Sequence, residues 1–298
     1  MIVPSRCAFV DQPLDRVAPM NLEPAKRAVL WPSAQVILLN PQGQIFTDIH
    51  SQPLSLTGAC LNHDNAEHAI FLGYDAHHVG WFALEISTPP CPALAVDLMT
   101  LAGLWSKEQV SICAMARSLL LWLGRTRYCS GCGQLLQRQV NGAALVCRHC
   151  QAMYWPTVTP VIIVAVHDGG DRLLLGRQSS WPPQRYSVIA GFMEPGETCE
   201  QAVAREVFEE TQVRLESIHY LASQPWPFPS HLMLGFTAQA SPGQIPQAYD
   251  ELEDARWFTR ADIGRWLEDV RPQTAEVSLP SPLALSRVLI EQWYCQAI

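Results

Sequence analysis

Apolar residues in the first part of the chain come in short runs separated by turn formers, a pattern typical of strands. These runs are residues 36–39, 45–46, 69–74 and 79–86. Residues 97–124 differ, because their apolar positions recur at helical spacing and predict one or two helices. Those positions are Leu98, Leu101, Leu104, Val110, Ala114 and Leu121. We therefore predict an N-terminal α/β domain over residues 1–124.

The pattern changes after residue 157, where strand and helix signals alternate to the end of the chain. Residues 161–166 form a continuous apolar run typical of a buried strand, and Asp168-Gly169-Gly170 is a hairpin signal leading into residues 173–175. Further strands are predicted at 187–190, 218–222, 232–238 and 256–258, and helices at 198–211, 261–267 and 283–295. An α+β domain is therefore predicted over residues 157–298, separated from the first domain by residues 125–156.

The composition limits the classes of protein to which the chain can belong. Hydrophobic residues make up 48% of the 298 positions and charged residues 16%, which excludes wholesale disorder. The formal charge of −8 argues against broad, non-specific binding to nucleic acid or membrane surfaces. The first fifteen residues lack the basic and apolar runs of a signal peptide, and no apolar run approaches the ~20 residues of a membrane span. We expect a cytoplasmic protein with reduced thiols and no membrane partner.

Four of the ten cysteines form a pattern. Cys129-x-x-Cys132 is followed after fourteen residues by Cys147-x-x-Cys150, the spacing of two knuckles that close one tetrahedral site. Four thiolates leave no open coordination position, so we predict one structural Zn²⁺ per chain in a zinc ribbon over residues 125–156. Two disulfides or unrelated cysteines are the alternative, which reduced thiols disfavour.

The spacing of the cysteines does not decide what the ribbon does. Zinc ribbons bind nucleic acid in some proteins and act as plain structural staples in others. The arginines around this module are interpreted as a solvated face: Arg125, Arg127, Arg138 and Arg148.

Acidic residues cluster near the end of the helix predicted at 198–211. Glu206 and Glu210 are four positions apart and point the same way, with Glu209 beside them. These like charges repel each other and face the negative end of the helix dipole. A divalent cation such as Mg²⁺ or Mn²⁺, which prefers carboxylate oxygen, would offset both effects. The alternative is a solvated acidic face, the usual fate of a run of charges.

Prolines and aromatic residues alternate in residues 223–230, Ser-Gln-Pro-Trp-Pro-Phe-Pro-Ser, named here the aromatic-proline segment. Its prolines hold the backbone extended and prevent regular pairing as a central strand. Trp226 and Phe228 are therefore well placed to stack on a planar base. An ordinary packed surface loop is the alternative for this segment taken alone.

Residues 191–213 resemble the Nudix box, Gly-x5-Glu-x7-Arg-Glu-U-x-Glu-Glu-x-Gly-U, in which U is aliphatic. Every charged position of that pattern is present: Glu197, Arg205, Glu206, Glu209 and Glu210. Gln212 stands where the pattern has its second Gly, which ends the helix in a left-handed conformation. A residue with a side chain is strained there by about 1–2 kcal/mol. The alternative is a helix that ends in a different conformation.

The chain is similar, more specifically, to the NADH pyrophosphatase branch of the Nudix hydrolases. That branch carries a four-cysteine zinc ribbon before its Nudix domain and a Ser-Gln-Pro-Trp-Pro-Phe-Pro-x-Ser motif, in which His231 here replaces the last Ser. The resemblance implies an α+β fold: an α/β/α sandwich on a mixed sheet, preceded by the ribbon and the N-terminal domain. It also implies a homodimer that hydrolyses NADH or NAD⁺ to AMP and nicotinamide mononucleotide, and that can remove NAD caps from RNA.

The resemblance also assigns roles to individual residues. Mg²⁺ or Mn²⁺ would be bound by Glu206, Glu210, Glu251 and the carbonyl of Ala190. Arg205 would pair with Glu197, and either Glu209 or Glu210 would act as the general base. The substrate would be bound by Trp155, Phe192, Gln224, Pro225, Trp226, Pro227, Phe228, Pro229, Ser230, His231 and Ser286.

Two other readings of the sequence remain open. One is a Nudix hydrolase of another nucleoside diphosphate compound, such as ADP-ribose or an ADP-sugar, since Gln212 and His231 depart from the pattern. The other is a catalytically inactive zinc-ribbon protein that binds nucleic acid, which the complete set of box glutamates and the charge of −8 disfavour.

Overall fold

The structure, a computed structural model, describes residues 7–16, 24–62, 64–139, 144–244, 246–248, 251–268 and 277–296. The chain forms two compact units. The amino-terminal unit contains the described residues of Ala8–Val158 and Trp226–Ser230, and the carboxy-terminal unit contains those of Thr159–Pro225 and His231–Ile298 with Cys7. The predicted boundaries at 124/125 and 156/157 stay predictions. The first six residues, part of the stretch predicted to carry no signal peptide, lie outside the described residues.

The amino-terminal unit is built on a six-stranded sheet with the order β4-β5-β1-β2-β6, in which β3 also pairs with β1. Its strands are β1 Gln35–Leu39, β2 Ile45–Thr47, β3 Ser55–Thr57, β4 Ile70–Tyr74, β5 Gly80–Glu85 and β6 Leu94–Val96. Its helices are α1 Pro24–Leu30, α2 Asn65–His68, α3 Leu98–Leu101 and α4 Lys107–Arg125. The predicted strands and the two helices in residues 97–124 are confirmed. Four short elements of this unit, α1, α2, β3 and β6, were not predicted; each has seven residues or fewer, which is too few to establish a periodicity by itself.

The ribbon forms a small three-stranded sheet of β7 Gln137–Arg138, β8 Leu145–Val146 and β9 Met153–Tyr154. The interpretation of Arg138 as a solvated side chain is wrong. Its guanidinium donates to the carbonyls of Glu67, His68 and Ala69 at 2.6–2.8 Å, and burial lowers its pKa to about 10. Arg27 donates to Ala69 as well, so two arginines satisfy carbonyls at the carboxyl end of α2 that the helix itself leaves free.

The carboxy-terminal unit contains a second six-stranded sheet, with the order β13-β14-β10-β11-β15 and with β12 also paired to β10. Its strands are β10 Thr159–His167, β11 Arg172–Gln178, β12 Ile189–Phe192, β13 Leu215–Trp226, β14 His231–Ala240 and β15 Leu252–Thr259. β10 runs parallel to β14 and antiparallel to β11 and β12, so the sheet is mixed, as predicted. Pro225 lies inside β13, which tolerates proline because it is an edge strand.

Helices cover both faces of this sheet: α5 Cys199–Thr211, α6 Arg260–Glu268 and α7 Leu285–Cys295. α5 packs Val203 and Val207 into a core shared with alternate residues of β10 and with Phe236 of β14. Gly235, the next residue to Phe236, points to the other face, where Leu285 of α7 leaves no room for a larger side chain. The predicted sandwich is thereby confirmed.

α5 begins and ends as its sequence predicts. Thr198 and Gln201 form a complete capping box at its start. Gln212 ends the helix in the left-handed region, at φ 59° and ψ 14°, where the Nudix pattern has Gly. Its Nε2 donates at 3.1 Å to the carbonyl of Phe208, which also accepts the backbone N–H of Gln212 at 2.8 Å, so this carbonyl of the last turn has two donors.

Replacement of Gln212 by glycine is expected to raise the free energy of unfolding by about 1 kcal/mol, because glycine adopts the left-handed conformation without strain. Equilibrium urea unfolding of the full chain measures this change. Gln212→Ala is the control, since it keeps the Cβ and loses the amide hydrogen bond, and it should be no more stable than the native chain. A Gln212→Gly chain that is less stable than the native one would show that the amide contact outweighs the backbone strain.

Candidate active site

α5 presents the acidic residues of the box because its opposite face is apolar. Ala202, Val203 and Val207 are fully buried against the sheet. Glu206 and Glu210 lie on the remaining surface, one turn apart. Glu210 is only 6% exposed, which is unusual for a glutamate. The helix therefore holds two carboxylates near the sheet at fixed spacing.

Arg205 is the centre of the polar network around this helix. Its guanidinium binds both carboxylate oxygens of Glu197, at 3.0 Å from Nε and 2.7 Å from Nη2. Nη1 lies 2.9 Å from Glu206 Oε1 and 3.0 Å from Glu209 Oε2. Nη2 also donates to the carbonyl of Phe192 at 2.9 Å. One arginine thus ties the loop before α5, the helix itself and the end of β12 together, and the predicted pairing of Arg205 with Glu197 is present.

The carboxylate of Glu206 packs directly on the backbone of Gly191. A Cβ placed on Gly191 would lie 2.0 Å from Glu206 Cδ, so the two atoms would overlap. Glycine is therefore required here by close approach, and the contact brings the Glu206 carboxylate next to the main chain that follows Ala190. A carboxylate is the kind of oxygen ligand that Mg²⁺ or Mn²⁺ prefers.

Arg205 and burial together set the protonation of the nearby acids. Hydrogen bonds from Arg205 lower the pKa of Glu197 to about 2, so this carboxylate stays ionised. Burial raises the pKa of Glu206, although Arg205 acts in the opposite direction. The ionised form of a buried carboxylate is disfavoured until a cation approaches it, so Glu206 has much to gain from a bound metal ion.

Glu251, the fourth residue predicted to bind the catalytic metal, lies just before β15 and is exposed. Its Oε2 accepts a hydrogen bond from Gln178 Nε2 at 3.2 Å. Within the described ranges, Glu206, Glu210 and Glu251 do not bring their oxygens within 4.8 Å of one another. Their joint binding of a metal stays a prediction.

Phe192 and His231 form an aromatic corner in the carboxy-terminal unit. Their ring centroids are 5.3 Å apart and the planes meet at 82°, an edge-to-face contact. Phe192 is 53% exposed, so about half of its surface is open to a ligand. His231, which replaces the serine of the branch motif, thus supports the ring that is predicted to stack on the substrate.

Gln224 links β13 to the start of α7. Its side chain is 0% exposed, its Nε2 donates to the carbonyl of Leu283 at 2.8 Å, and its Oε1 accepts from the backbone N–H of Leu285 at 2.7 Å. α7 begins after Ala284, which has no side-chain oxygen, so Gln224 supplies the cap from another element. Ser286 follows and is buried. Contact of Gln224 and Ser286 with substrate stays a prediction.

The rest of the aromatic-proline segment, Trp226–Ser230, belongs to the amino-terminal unit. Arg117 of α4 donates to the carbonyl of Pro227 and lies 4.7 Å above the ring of Phe228. Phe9 packs edge-on against both aromatic rings of the segment, at 5.9 and 6.3 Å. These contacts hold the segment in one conformation, and nothing in the sequence pattern pointed to Arg117 or Phe9. Trp155 is in the same unit and is 45% exposed.

Comparisons with known proteins agree with this site. A family model described as NUDIX domain matches residues 157–279. The NAD-capped RNA hydrolase NudC of Mycobacterium bovis (strain BCG / Pasteur 1173P2) is 32% identical, and the alignment covers 94% of this chain and 92% of that protein. The chain belongs to the Nudix hydrolase family.

Other relatives differ in how much of this Nudix chain they match. The NAD-capped RNA hydrolase NUDT12 of Homo sapiens is 37% identical over 72% of the chain, and the chain spans about half, 50%, of the length of that relative. The crystal structure of a NUDIX hydrolase from Nitrosomonas europaea aligns with a TM-score of 0.45 and 23% identity, covering 57% of this chain and 94% of that one. The predicted branch of the Nudix family is confirmed by the NudC and NUDT12 relatives.

The four cysteines of this Nudix protein lie together as the spacing predicts. Within the described ranges, they are the one group of three or more His, Cys, Asp or Glu side chains whose ligand atoms lie within 4.8 Å of one another. Their sulfurs are 3.5 Å apart for Cys129 and Cys150, 3.4 Å for Cys132 and Cys147, and 3.7 Å for Cys132 and Cys150. Four sulfurs at ~2.3 Å from a tetrahedral Zn²⁺ are about 3.8 Å apart, so the quartet fits that ion. All four are free thiols, so the disulfide alternative is excluded.

Tyr154 is a further polar group at the cysteine cluster. Its hydroxyl lies 3.3 Å from Cys129 Sγ and, by this hydrogen bond, lowers the pKa of that thiol to about 6. A backbone hydrogen bond at Cys150 likewise lowers the pKa of Cys147. At these two cysteines the thiolate form, in which cysteine binds metal, is favoured. At Cys132 and Cys150 backbone hydrogen bonds act in the same direction, but contacts with neighbouring cysteine sulfurs raise the pKa.

Among the described helices, none combines the length and apolar character that crossing a bilayer requires.

Proposed function

We propose that this chain is a metal-dependent NAD(H) diphosphatase. It hydrolyses the diphosphate bond of NADH or NAD⁺ to AMP and nicotinamide mononucleotide, and it removes the NAD cap from RNA. The proposal is supported chiefly by the complete Arg205 network, which holds Glu197, Glu206 and Glu209, and by the contact of Glu206 with Gly191. The names of the NudC and NUDT12 relatives support the choice of NAD as the substrate class.

The catalytic metal is proposed to be Mg²⁺ or Mn²⁺, held by Glu206, Glu210, Glu251 and the carbonyl of Ala190. When bound, such ions neutralise the phosphate charge, lower the pKa of a water and stabilise the leaving group. Glu206 contributes a carboxylate whose position is determined by Gly191 and by Arg205. Glu251, being exposed, contributes a carboxylate that can move towards the substrate.

The protein side chains orient the substrate and accept the proton. Phe192, supported by His231, offers a ring face on which a planar base stacks. Glu209 and Glu210 are the candidates for general base. Glu209 is half-exposed and bound to Arg205, whereas Glu210 is buried. Arg205 takes no proton, since its carboxylate partners raise its pKa further, and it acts by holding Glu197, Glu206 and Glu209 in place.

Three further features belong to this proposal. The cysteine quartet holds one structural Zn²⁺ per chain, which its sulfur separations support. The protein acts as a homodimer, as the resemblance to the branch implies. It works in the cytoplasm, where the free thiols that the zinc site needs are maintained.

Product analysis tests the proposed activity. The purified protein is incubated with NADH, NAD⁺, ADP-ribose or ADP-glucose, with Mn²⁺ or with EDTA, and in parallel as Glu210→Gln. We expect AMP and the reduced mononucleotide to form fastest from NADH, and EDTA or the substitution to abolish their formation. An RNA with a 5′ NAD cap should lose the cap under the same conditions, while a 5′ triphosphate RNA should stay unchanged.

Any other result of the product analysis would indicate a different function. Comparable rates with ADP-ribose or ADP-glucose would replace the proposal by a broader nucleoside diphosphate hydrolase, for which His231 in place of serine would be the sequence basis. A folded, zinc-loaded protein that gives no product from any substrate would overturn the enzyme proposal. Salt-dependent RNA binding would then support the nucleic-acid-binding alternative.

A further inference from the structure

The hydroxyl of Tyr154 lies at the first knuckle of the cysteine cluster and has three partners there. It is 3.3 Å from Cys129 Sγ, 2.9 Å from the backbone nitrogen of Ser130 and 2.9 Å from Ser130 Oγ. Its ring packs against the small core of the ribbon, which includes Leu145 and Cys147. The hydroxyl is therefore held in place by three polar contacts, and the ring by the ribbon core.

The number of protons determines how these three contacts are shared. A tyrosine hydroxyl donates one hydrogen and accepts two. The backbone N–H of Ser130 can only donate to it, and the serine hydroxyl can take the second acceptor position. The single proton of Tyr154 is then left for Cys129, whose sulfur as a thiolate can only accept. All three distances are satisfied by this one arrangement.

We propose that Tyr154 is a functional part of the metal site: its hydroxyl donates a hydrogen bond to the Cys129 thiolate and thereby stabilises the bound ion and its ribbon. This inference rests on the proposed zinc. Four thiolates around Zn²⁺ carry a net charge of −2, so a donor aimed at one sulfur disperses excess charge. Groups that support metal ligands in this way typically contribute 10- to 100-fold in metal affinity.

The position of Tyr154 in the strand gives the contact a second consequence. β9 ends at Tyr154, and Trp155, the predicted substrate aromatic, follows it directly. Tyr154 points into the ribbon, while the Trp155 side chain is half-exposed. The hydrogen bond to Cys129 therefore also anchors the main chain from which Trp155 projects. Tyr154 is a positioning residue, since it acts through the sulfur and the strand.

The test is the rate at which the full-length, zinc-loaded protein loses its metal to a chromogenic chelator. Tyr154→Phe keeps the ring and removes only the hydroxyl, and we expect zinc release 10- to 100-fold faster. Tyr128→Phe is the matched control, because it makes the same change in the same ribbon at a ring that is 62% exposed, and it should release zinc at the native rate.

A spectroscopic measurement separates the hydrogen bond from loss of packing. With Co²⁺ in place of Zn²⁺, the thiolate-to-metal charge-transfer band of Tyr154→Phe should shift to lower energy, because the sulfur becomes more electron-rich. Ser130→Ala, which retains the tyrosine, should leave that band unchanged. A shift of the Ser130→Ala band to higher energy would overturn the proposal, since it would show that the tyrosine proton normally goes to the serine.

The zinc content of the native protein keeps two failures apart. One zinc per chain, with Tyr154→Phe matching Tyr128→Phe in release rate and in the cobalt spectrum, would overturn the role of Tyr154 and leave the zinc site intact. A native protein that holds no zinc after purification in zinc-containing buffer would overturn the proposed zinc site itself, and the inference with it.

Discussion

Glu206→Gln is expected to lower kcat/KM for NADH by a factor on the order of 10³ while the protein stays folded. Glutamine has the same shape and can still accept from Arg205 through its amide oxygen. It lacks the negative charge, and the charge is what a divalent cation requires next to Gly191. The carboxylate packs against the glycine backbone, and this is the position that the substitution leaves without a negative charge.

Initial rates over a range of Mn²⁺ concentrations measure this effect, with far-ultraviolet circular dichroism as the check on folding. Glu200→Gln is the matched control, because it removes a charge from the exposed first turn of the same helix. It should retain nearly the native rate. A Glu206→Gln protein that keeps more than a tenth of the native kcat/KM at every Mn²⁺ concentration would rule out Glu206 as a metal ligand.

Cys147→Ser is expected to reduce the zinc content from one per chain to near zero and to unfold the ribbon. Cys147 is fully buried, with its sulfur 3.4 Å from that of Cys132. Serine stays protonated near neutral pH and replaces a strong thiolate ligand by a weak one. The ribbon has a very small apolar core, and zinc binding supplies ~10–16 kcal/mol to the folding of comparable modules.

Metal analysis after dialysis and limited proteolysis at residues 125–156 measure the outcome. Cys60→Ser provides the control, because Cys60 is an exposed thiol outside the quartet. It should retain the zinc and the native digestion pattern. If Cys147→Ser keeps one zinc per chain and resists the protease like the native protein, three thiolates and another ligand hold the ion, and the four-cysteine assignment is wrong.

Local sequence rules predicted those parts of the site that lie within a few residues of one another. The capping box, α5 and the spacing of its glutamates follow from helix geometry over a single segment. The knuckles follow from the Cys-x-x-Cys turns in the same way. For the residue that ends α5, the family pattern indicated a left-handed conformation as one of two alternatives, and the structure shows that Gln212 adopts it.

The structure corrected or completed the predictions wherever a side chain meets a distant segment. The sequence indicated that Arg138 is a solvated arginine next to the ribbon. In the structure it donates to carbonyls about seventy positions earlier in the chain. Gln224, whose contact with substrate stays a prediction, also caps a helix that begins 61 positions later, which the sequence did not indicate. Neither partner is visible in a pattern of polar and apolar residues, because backbone carbonyls and N–H groups occur at every position.

The sequence by itself determined the identity of the chemical groups in this protein: four thiols at knuckle spacing, and an arginine with its glutamates on one helix. Their local arrangement follows from bond geometry and from the period of the helix. The tertiary structure decided which backbone and side-chain groups they contact. Glu206 packs on Gly191, Phe192 packs on His231, and Tyr154 lies at Cys129. These contacts depend on the register of strands that are far apart in the chain, and the packing of the whole sheet or ribbon determines that register.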